Sequence, residues 1–409
     1  MAGPLAIRDF RFFLGGRFFA GLAQQMQQVA VGYYLYDATR DPLTLGYAAL
    51  SIFIPIAVLT LPAGDVADRI DRRLILGACH GVQAVCAGLF LILIFQKASN
   101  PHPFYAVLAL SGAARAFSGP AQASYAPFLV PREIFGQAVA WSTSSNQVAT
   151  VVGPALGGFL YLAGPWVPFA ACLVASPLVA TFMLLIGPRA PTGRSAGTTA
   201  WSRVAEGLRY LRGKPIVLGA ITLDLFAVLL GSVTALLPVF ARDILGVGPD
   251  GLGVLRSSIA VGALGMAMVL AHLPAARQPH AGWAMFGGVA AFGVAVLVFG
   301  VSRSYVLSAV ALAAMGAADM VSIFVRQTVV QLGTPEEMRG RVSGVHTLFV
   351  SAANEFGDFR AGLVASWLGA GHAVLAGGAC TLAVVALWTR LFPELRRVER
   401  LAQISADRT

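Results

Sequence analysis

Residues 112–158 read GAARAFSGPAQASYAPFLVPREIFGQAVAWSTSSNQVATVVGPALGG, and residues 316–362 repeat their pattern 204 positions later. Identical residues coincide at Gly112 and Gly316, Pro131 and Pro335, and Gly153 and Gly357. Each copy has an apolar run, a short loop with Pro, Glu and Arg, and a Gly-rich apolar run. A parallel repeat of this size predicts two similar halves with the working site between them.

The composition of the 409-residue chain indicates a membrane protein. Apolar residues make up 57% of it and charged residues 12%, and the mean hydropathy is +0.74. A spanning helix needs roughly 20 mainly apolar residues. We predict an all-α membrane protein of twelve transmembrane helices in two pseudo-symmetric six-helix bundles. The predicted spans are 14–36, 44–64, 74–96, 103–127, 137–162, 165–188, 215–240, 250–273, 281–302, 304–328, 342–368 and 372–393.

One long polar connection separates the halves. The predicted domains are an N-terminal bundle (1–188), a cytoplasmic linker with an amphipathic helix (189–214), a C-terminal bundle (215–393) and a cytoplasmic tail (394–409). Since one chain holds both halves, we expect a monomer.

The positive net charge of +10 follows from membrane orientation. Of the 29 Lys and Arg residues, twenty lie in the amino terminus, the even-numbered loops and the tail, and four lie in the odd-numbered loops. By the positive-inside rule, both termini face the cytoplasm, and we expect a multi-pass protein of the bacterial inner membrane. Short basic loops among apolar runs suit lipid contact and argue against a nucleic-acid partner.

Other function classes find little support. The four Cys and six His show no metal-ligand spacing, so we expect no metal, no cofactor and no enzyme activity. A phosphate-binding loop that an ATP-driven pump would need is missing from the sequence. A non-transporting membrane sensor would need a signalling appendage, and the tail is short. Among transporters, the sequence does not decide between export and import, so a proton-coupled importer of a small polar or anionic solute stays an alternative to an exporter.

Nine charged residues fall inside the predicted spans. A charge at a helix centre costs about 2.5–3.5 kcal/mol on insertion scales, so these side chains must face each other or water. Static ion pairs are one interpretation, and a pathway for substrate and protons is the other. The nine are Arg17, Arg115, Arg256, Arg326, Arg360, Asp224, Asp319, Glu355 and Asp358.

Three patterns sharpen the pathway interpretation. The repeat places Arg115 and Asp319 at equivalent positions, so they either line one central cavity or pair within their own halves. Glu355 and Asp358 are three residues apart on one helix face, where one of two close carboxylates is expected to hold a proton. The amides of Gln24 and Gln28 in the first span either bridge helices or meet a polar ligand.

Two glycine-containing motifs predict conformational roles. In the fifth span Pro154 lies among Gly153, Gly157 and Gly158, which predicts close helix packing or a rocking interface. The loop 64–73 carries acids and arginines at a cytoplasmic helix end, which indicates either a topology signal or a latch of charge-assisted bonds. Its candidate residues are Gly64, Asp68, Arg69, Asp71, Arg72 and Arg73.

These motifs resemble those of the major facilitator superfamily. The loop 64–73 resembles its signature between spans two and three, although Asp71 stands where many members have Gly. Arg115 followed by Gly119 resembles a fourth-span motif associated with proton coupling, and 153–158 resembles an exporter motif, with Ala149 in place of its leading Gly. Segments 223–226, 237–243 and 334–342 resemble the branch of enterobactin-exporter-like and drug-efflux-like members.

The resemblance implies proton-coupled export of a small siderophore-like or drug-like amphipathic molecule by alternating access. It also implies that spans 1, 4, 7 and 10 surround the cavity.

Overall fold

A computed structural model of the chain describes residues 3–125, 128–188, 200–272 and 281–396, and the described residues contain helices and no β-strand. Residues 189–199 of the predicted linker and 397–409 of the predicted tail lie outside the described part. The chain forms two compact units. The first is Met1–Ala200 with Val247–Ser257, and the second is Trp201–Gly246 with Ser258–Thr409.

The described residues of the first unit form six long helices. They are α1 (Arg8–Thr39), α2 (Pro42–Arg69), α3 (Arg72–Phe95), α4 (His102–Tyr125), α5 (Phe135–Leu162) and α6 (Val167–Leu184). Asp41 and Asp71 begin α2 and α3, because each carboxylate accepts a hydrogen bond from the backbone two residues later. The start of α10, up to Ser257, also belongs to this unit.

The second unit holds the remaining helices of the described chain. They are α7 (Ala200–Arg212), α8 (Pro215–Gly231), α9 (Leu237–Val239), α10 (Pro249–His272), α11 (Ala281–Val301), α12 (Tyr305–Gly333), α13 (Glu336–Leu368), α14 (Ala370–Leu391) and α15 (Pro393–Arg396). Its apolar core includes Leu223 of α8, Phe286 of α11 and Val325 of α12, all at most 2% exposed.

Each predicted span coincides with helical structure, but the number of spans is confirmed only in part. Eight segments of the described chain are long and apolar enough to cross a membrane. The helices α1, α4, α5 and α13 are not among them. In two of them polar residues lower the hydropathy: α1 carries a glutamine stripe, and α13 carries two acids and an arginine within 355–360.

The seventh span is not the single helix that the sequence predicts over 215–240. α8 ends at Gly231, Ser232 is extended, and a 3-10 turn (Thr234–Leu236), α9 and a π-helical turn (Phe240–Ile244) follow. The sequence Gly-Ser-Val-Thr at 231–234 has low helix propensity. Pro238 also lacks the amide that would bond the carbonyl of Thr234 in a continuous helix.

The predicted amphipathic helix between the halves is α7. Leu211 is buried in the core of the second unit, and Leu208 packs against that core. The hydroxyl of Tyr210 donates a hydrogen bond of 3.1 Å to the carbonyl of Gly333 at the end of α12. The apolar side of α7 therefore packs on the protein core of the second unit.

The repeated glycines have the same packing role in both units. A Cβ at Gly112 of α4 would collide with the backbone carbonyl of Ile52 of α2. A Cβ at Gly316 of α12 would collide in the same way with the carbonyl of Ile259 of α10. The repeat therefore preserves a close approach of two helix backbones.

Gly112→Ala is expected to lower the free energy of unfolding by about 1–3 kcal/mol, because a rigid carbonyl must move to admit the methyl group. Gly119→Ala on the same helix is the matched control, since Gly119 has open space around it. That change should be neutral or stabilising by up to about 1 kcal/mol. Denaturant unfolding in detergent measures both, and equal effects would contradict the packing role.

Candidate functional site

A buried ion pair joins α8 to α12. Asp224 of α8 contacts Arg326 of α12, and the two side chains are 5% and 4% exposed. Each charge is stable at this depth because the other compensates the loss of hydration. The sequence predicted both as pathway residues, and the structure identifies them as direct partners.

A small cavity lies beside this ion pair. Asp224, Asp319 and Ser322 form its polar side, and the apolar walls are Ala227, Val228, Val289 and Phe292. The cavity measures about 10 Å³, which is room for roughly one water molecule. The hydroxyl of Ser322 donates a hydrogen bond of 3.4 Å to Oδ1 of Asp224. Two carboxylates, one hydroxyl and the guanidinium on Asp224 therefore meet at one place in the second unit.

The charges around the cavity do not balance. Arg326 pairs with Asp224, and no ion pair or hydrogen bond to Asp319 occurs among the described residues. His346 of α13 lies within electrostatic range of Arg326 but does not line the cavity. With both acids ionised, the set of Asp224, Asp319 and Arg326 carries one negative charge in excess. Binding of a single proton makes it neutral.

Ser322 is a site residue that the sequence analysis missed. It lies three residues after Asp319 and four before Arg326, so all three share one face of α12. The spacing alone could have indicated Ser322, because the sequence already places Asp319 and Arg326 in the same span.

Two charged residues of α13 bind the interrupted seventh span. Asp358 accepts hydrogen bonds from the Ser232 hydroxyl and, at 3.4 Å, from the amide of Ala235. Arg360 donates to the carbonyls of Leu229 (3.0 Å) and Leu230 (2.6 Å). Glu355 is half-buried on the same helix. Which of the two acids carries a proton stays a prediction.

Polar site candidates of the first unit include one direct pair. Arg256, in the part of α10 that belongs to this unit, donates a hydrogen bond of 2.9 Å to Oε1 of Gln28. Arg17 lies over the ring of Phe13 at 5.9 Å, and Gln24 is exposed. Arg115 belongs to α4 of this unit, whereas Asp319 belongs to the second unit. A cavity common to both therefore stays a prediction.

The fifth-span motif packs α5 closely on α1. A Cβ on Gly153 would lie 2.6 Å from Cβ of Gln25, and one on Gly157 would lie 2.8 Å from Cα of Met26. Gly158 faces the backbone of Pro249 within the same unit, and Pro154 lies inside α5 without ending it. These contacts agree with close helix packing. A role of the motif in a rocking interface stays a prediction.

The loop between α2 and α3 is ordered by Asp71. Asp71 accepts a hydrogen bond from the backbone amide of Arg73. It also forms an ion pair with the side chain of Arg73 at 2.9 Å. Arg73 also donates to the carbonyl of Ile186, just beyond α6, at 3.4 Å. Arg72 is buried against the Phe128 ring at 4.9 Å.

Arg73 thus makes the kind of contact to a neighbouring helix end that a latch requires. Gly64 has open space around it and Arg69 is exposed, whereas the side chain of Asp68 lies outside the described residues.

Comparison with known proteins gives one consistent result. The sequence profile of the Major Facilitator Superfamily matches residues 13–357. The enterobactin exporter EntS of Shigella boydii is 26% identical over 365 residues, which cover 88% of this chain and 85% of the relative.

Solved structures show the same fold at low sequence identity. A bacterial homologue of the human lysosomal transporter Spinster, in an inward-facing and occupied conformation, has a TM-score of 0.74 at 15% identity. The alignment covers 97% of this chain and 99% of the homologue's chain. A D-xylose–proton symporter has a TM-score of 0.70 at 14% identity, with 95% and 97% covered. These likenesses confirm the predicted fold class.

Proposed function

Because the chain belongs to the Major Facilitator Superfamily, we propose that it is a proton-coupled exporter of a small amphipathic molecule, working by alternating access. Members of this family are membrane transporters of small molecules and not enzymes, so the chain is a multi-pass membrane transporter. The observation that carries the proton-coupled part is the cavity in which Asp319 stands beside an Asp224 that is already paired with Arg326.

Proton coupling follows from the charge of this cavity. The ionised Asp319 carboxylate needs water or a cation, so it favours a state of the carrier in which water reaches the cavity. When Asp319 binds a proton, the group becomes neutral and tolerates a closed, drier cavity. Proton binding and release thus shift the balance between two conformations. The Asp224–Arg326 pair keeps its charges throughout and holds α8 against α12.

The exporter direction rests on the relatives and on the fifth span. The relative reported above is named an exporter, and the Gly-Pro motif of α5 resembles that of exporters. We place the protein in the bacterial inner membrane with both termini in the cytoplasm, as the distribution of basic residues predicts. Protons would enter the cell as the substrate leaves it.

The substrate we propose is a siderophore-like or drug-like molecule with polar or anionic groups. Enterobactin, the substrate in the relative's name, is the first probe to use. The amides of Gln24 and Gln28 and the guanidinium of Arg256 supply polar groups in the first unit, and they suit a ligand that is not purely apolar.

Purified protein in proteoliposomes tests the proposal. With an imposed pH gradient, enterobactin flux is measured together with internal pH from a trapped dye, and ethidium is the drug-like probe. Antiport moves probe and protons in opposite directions, and a protonophore abolishes probe accumulation. Movement of both in one direction would instead show the importer. Empty liposomes are the control for leakage.

A further inference from the structure

The interruption of the seventh span leaves backbone groups that a continuous helix would satisfy. The last four carbonyls of α8 have no amide one turn ahead to bond them. Within a bilayer an unsatisfied backbone group finds no water to bond it, so a break persists only where other groups of the protein bind these backbone groups. Around Ser232 those groups come from α13.

Arg360 satisfies the first side of the break. Its Nε donates to the Leu229 carbonyl at 3.0 Å, and its Nη2 donates to the Leu230 carbonyl at 2.6 Å. A cation at the carboxyl end of a helix also interacts favourably with the helix dipole. Arg360 therefore stabilises the end of α8 both by hydrogen bonds and by charge.

Asp358 satisfies the other side of the break. Its Oδ1 accepts from the hydroxyl of Ser232 and from the amide of Ala235, which lies in the 3-10 turn that resumes the chain. Gly357 makes this possible, because α13 approaches α8 so closely that a Cβ there would lie 3.1 Å from the Val228 carbonyl. Asp358 thus binds the segment after the break, and Arg360 binds the end of α8 before it.

The first copy of the repeat lacks both the break and the two side chains. The shift of 204 residues places Asp358 on Pro154 and Arg360 on Leu156, neither of which carries a polar side chain. The helix that α5 packs against, α1, runs unbroken from Arg8 to Thr39. The second copy therefore has a broken helix together with the two polar residues that bind it, which argues against an incidental defect.

We infer that Asp358 and Arg360 form a clamp that fixes the break in the seventh span and so positions Asp224 and Val228 in the wall of the carboxylate cavity. Both are positioning residues, and neither carries the transported proton. Asp224 lies seven residues before the end of α8, so a displaced α8 end moves it relative to Asp319. The role in transport rests on the proposed function, whereas the clamp rests on the contacts alone.

Hydrogen exchange tests the clamp without any substrate. Full-length protein in lipid nanodiscs is compared with Asp358→Asn, Asp358→Ala and Arg360→Leu. Ser366→Ala is the control, because the exposed Ser366 donates a hydrogen bond of 2.8 Å to the carbonyl of Leu363 in α13 itself. Loss of the half-buried acceptor should raise amide exchange over 232–236 about tenfold in Asp358→Ala. Asp358→Asn keeps an acceptor oxygen and should stay within about threefold of the native rate.

Arg360→Leu, which installs the residue of the first copy, should loosen the same segment. Native exchange in both Asp358→Ala and Arg360→Leu would overturn the clamp. If Asp358→Ala does not fold, Arg360→Leu decides the question, because it removes both hydrogen bonds to the end of α8.

Transport in proteoliposomes separates positioning from proton carriage. An asparagine accepts the same hydrogen bonds as Asp358 but binds no proton in its place. We expect Asp358→Asn to retain at least about half of the proton-driven enterobactin transport, with an unchanged pH profile, and Asp358→Ala to lose about tenfold in turnover. Equal loss in both variants would show that Asp358 carries the proton and would overturn the assignment. If the native protein moves neither probe, the proposed function fails while the exchange rates still test the clamp.

Discussion

Arg326→Gln is expected to lower the free energy of unfolding by about 3–5 kcal/mol, since it leaves the Asp224 carboxylate buried without its cation. Both side chains are at most 5% exposed, so solvent cannot replace the lost partner. The hydroxyl of Ser322 donates one hydrogen bond to the same carboxylate, which does not compensate a full charge. Denaturant unfolding in detergent measures the loss, and the fraction of monodisperse protein after solubilisation provides a second measure.

The double variant Asp224→Asn with Arg326→Gln separates loss of the pair from loss of the arginine. Two neutral amides can bond each other, so at least about half of the lost stability should return. Arg390→Gln, at an exposed position of α14, is the matched control and should change stability by less than about 0.5 kcal/mol. Native stability of the single Arg326→Gln variant would disprove the structural role of the ion pair.

The sequence predicts the positions of these charges well and their partners poorly. Depth in a span follows from hydropathy, which is a local property, and it placed Asp224 and Arg326 correctly inside helices. Their pairing joins residues 102 positions apart, and it depends on the rotation of two helices about their axes. A single sequence does not fix that rotation.

The break after Gly231 shows a second limit. Residues 215–240 form one apolar run, and apolar runs of this length predict a continuous helix. Pro238 alone did not decide the matter, because Pro154 lies inside α5 without ending it. What distinguishes the two sites is tertiary: Asp358 and Arg360 bind the backbone groups that the break exposes.

Asp319→Asn is expected to abolish proton-driven accumulation while leaving downhill exchange of the substrate intact. One pH unit supplies about 1.4 kcal/mol per coupled proton, which supports at most about tenfold accumulation for one proton per cycle. Asparagine resembles the protonated carboxyl group in shape and stays neutral, so the cavity no longer changes charge. Under a gradient of one unit, enterobactin accumulation should fall from about tenfold to about onefold.

The comparison between coupled and uncoupled movement decides whether Asp319 has this role. Enterobactin counterflow without a pH gradient should stay within about threefold of the native rate, because exchange requires the conformational change but no net proton transfer. Asp243→Asn, an exposed aspartate of the same unit, is the matched control and should accumulate probe as the native protein does. Accumulation that survives in Asp319→Asn would remove this residue from coupling and leave Glu355 of α13 as the remaining carboxylate candidate. Loss of counterflow as well would instead assign Asp319 to the conformational change itself.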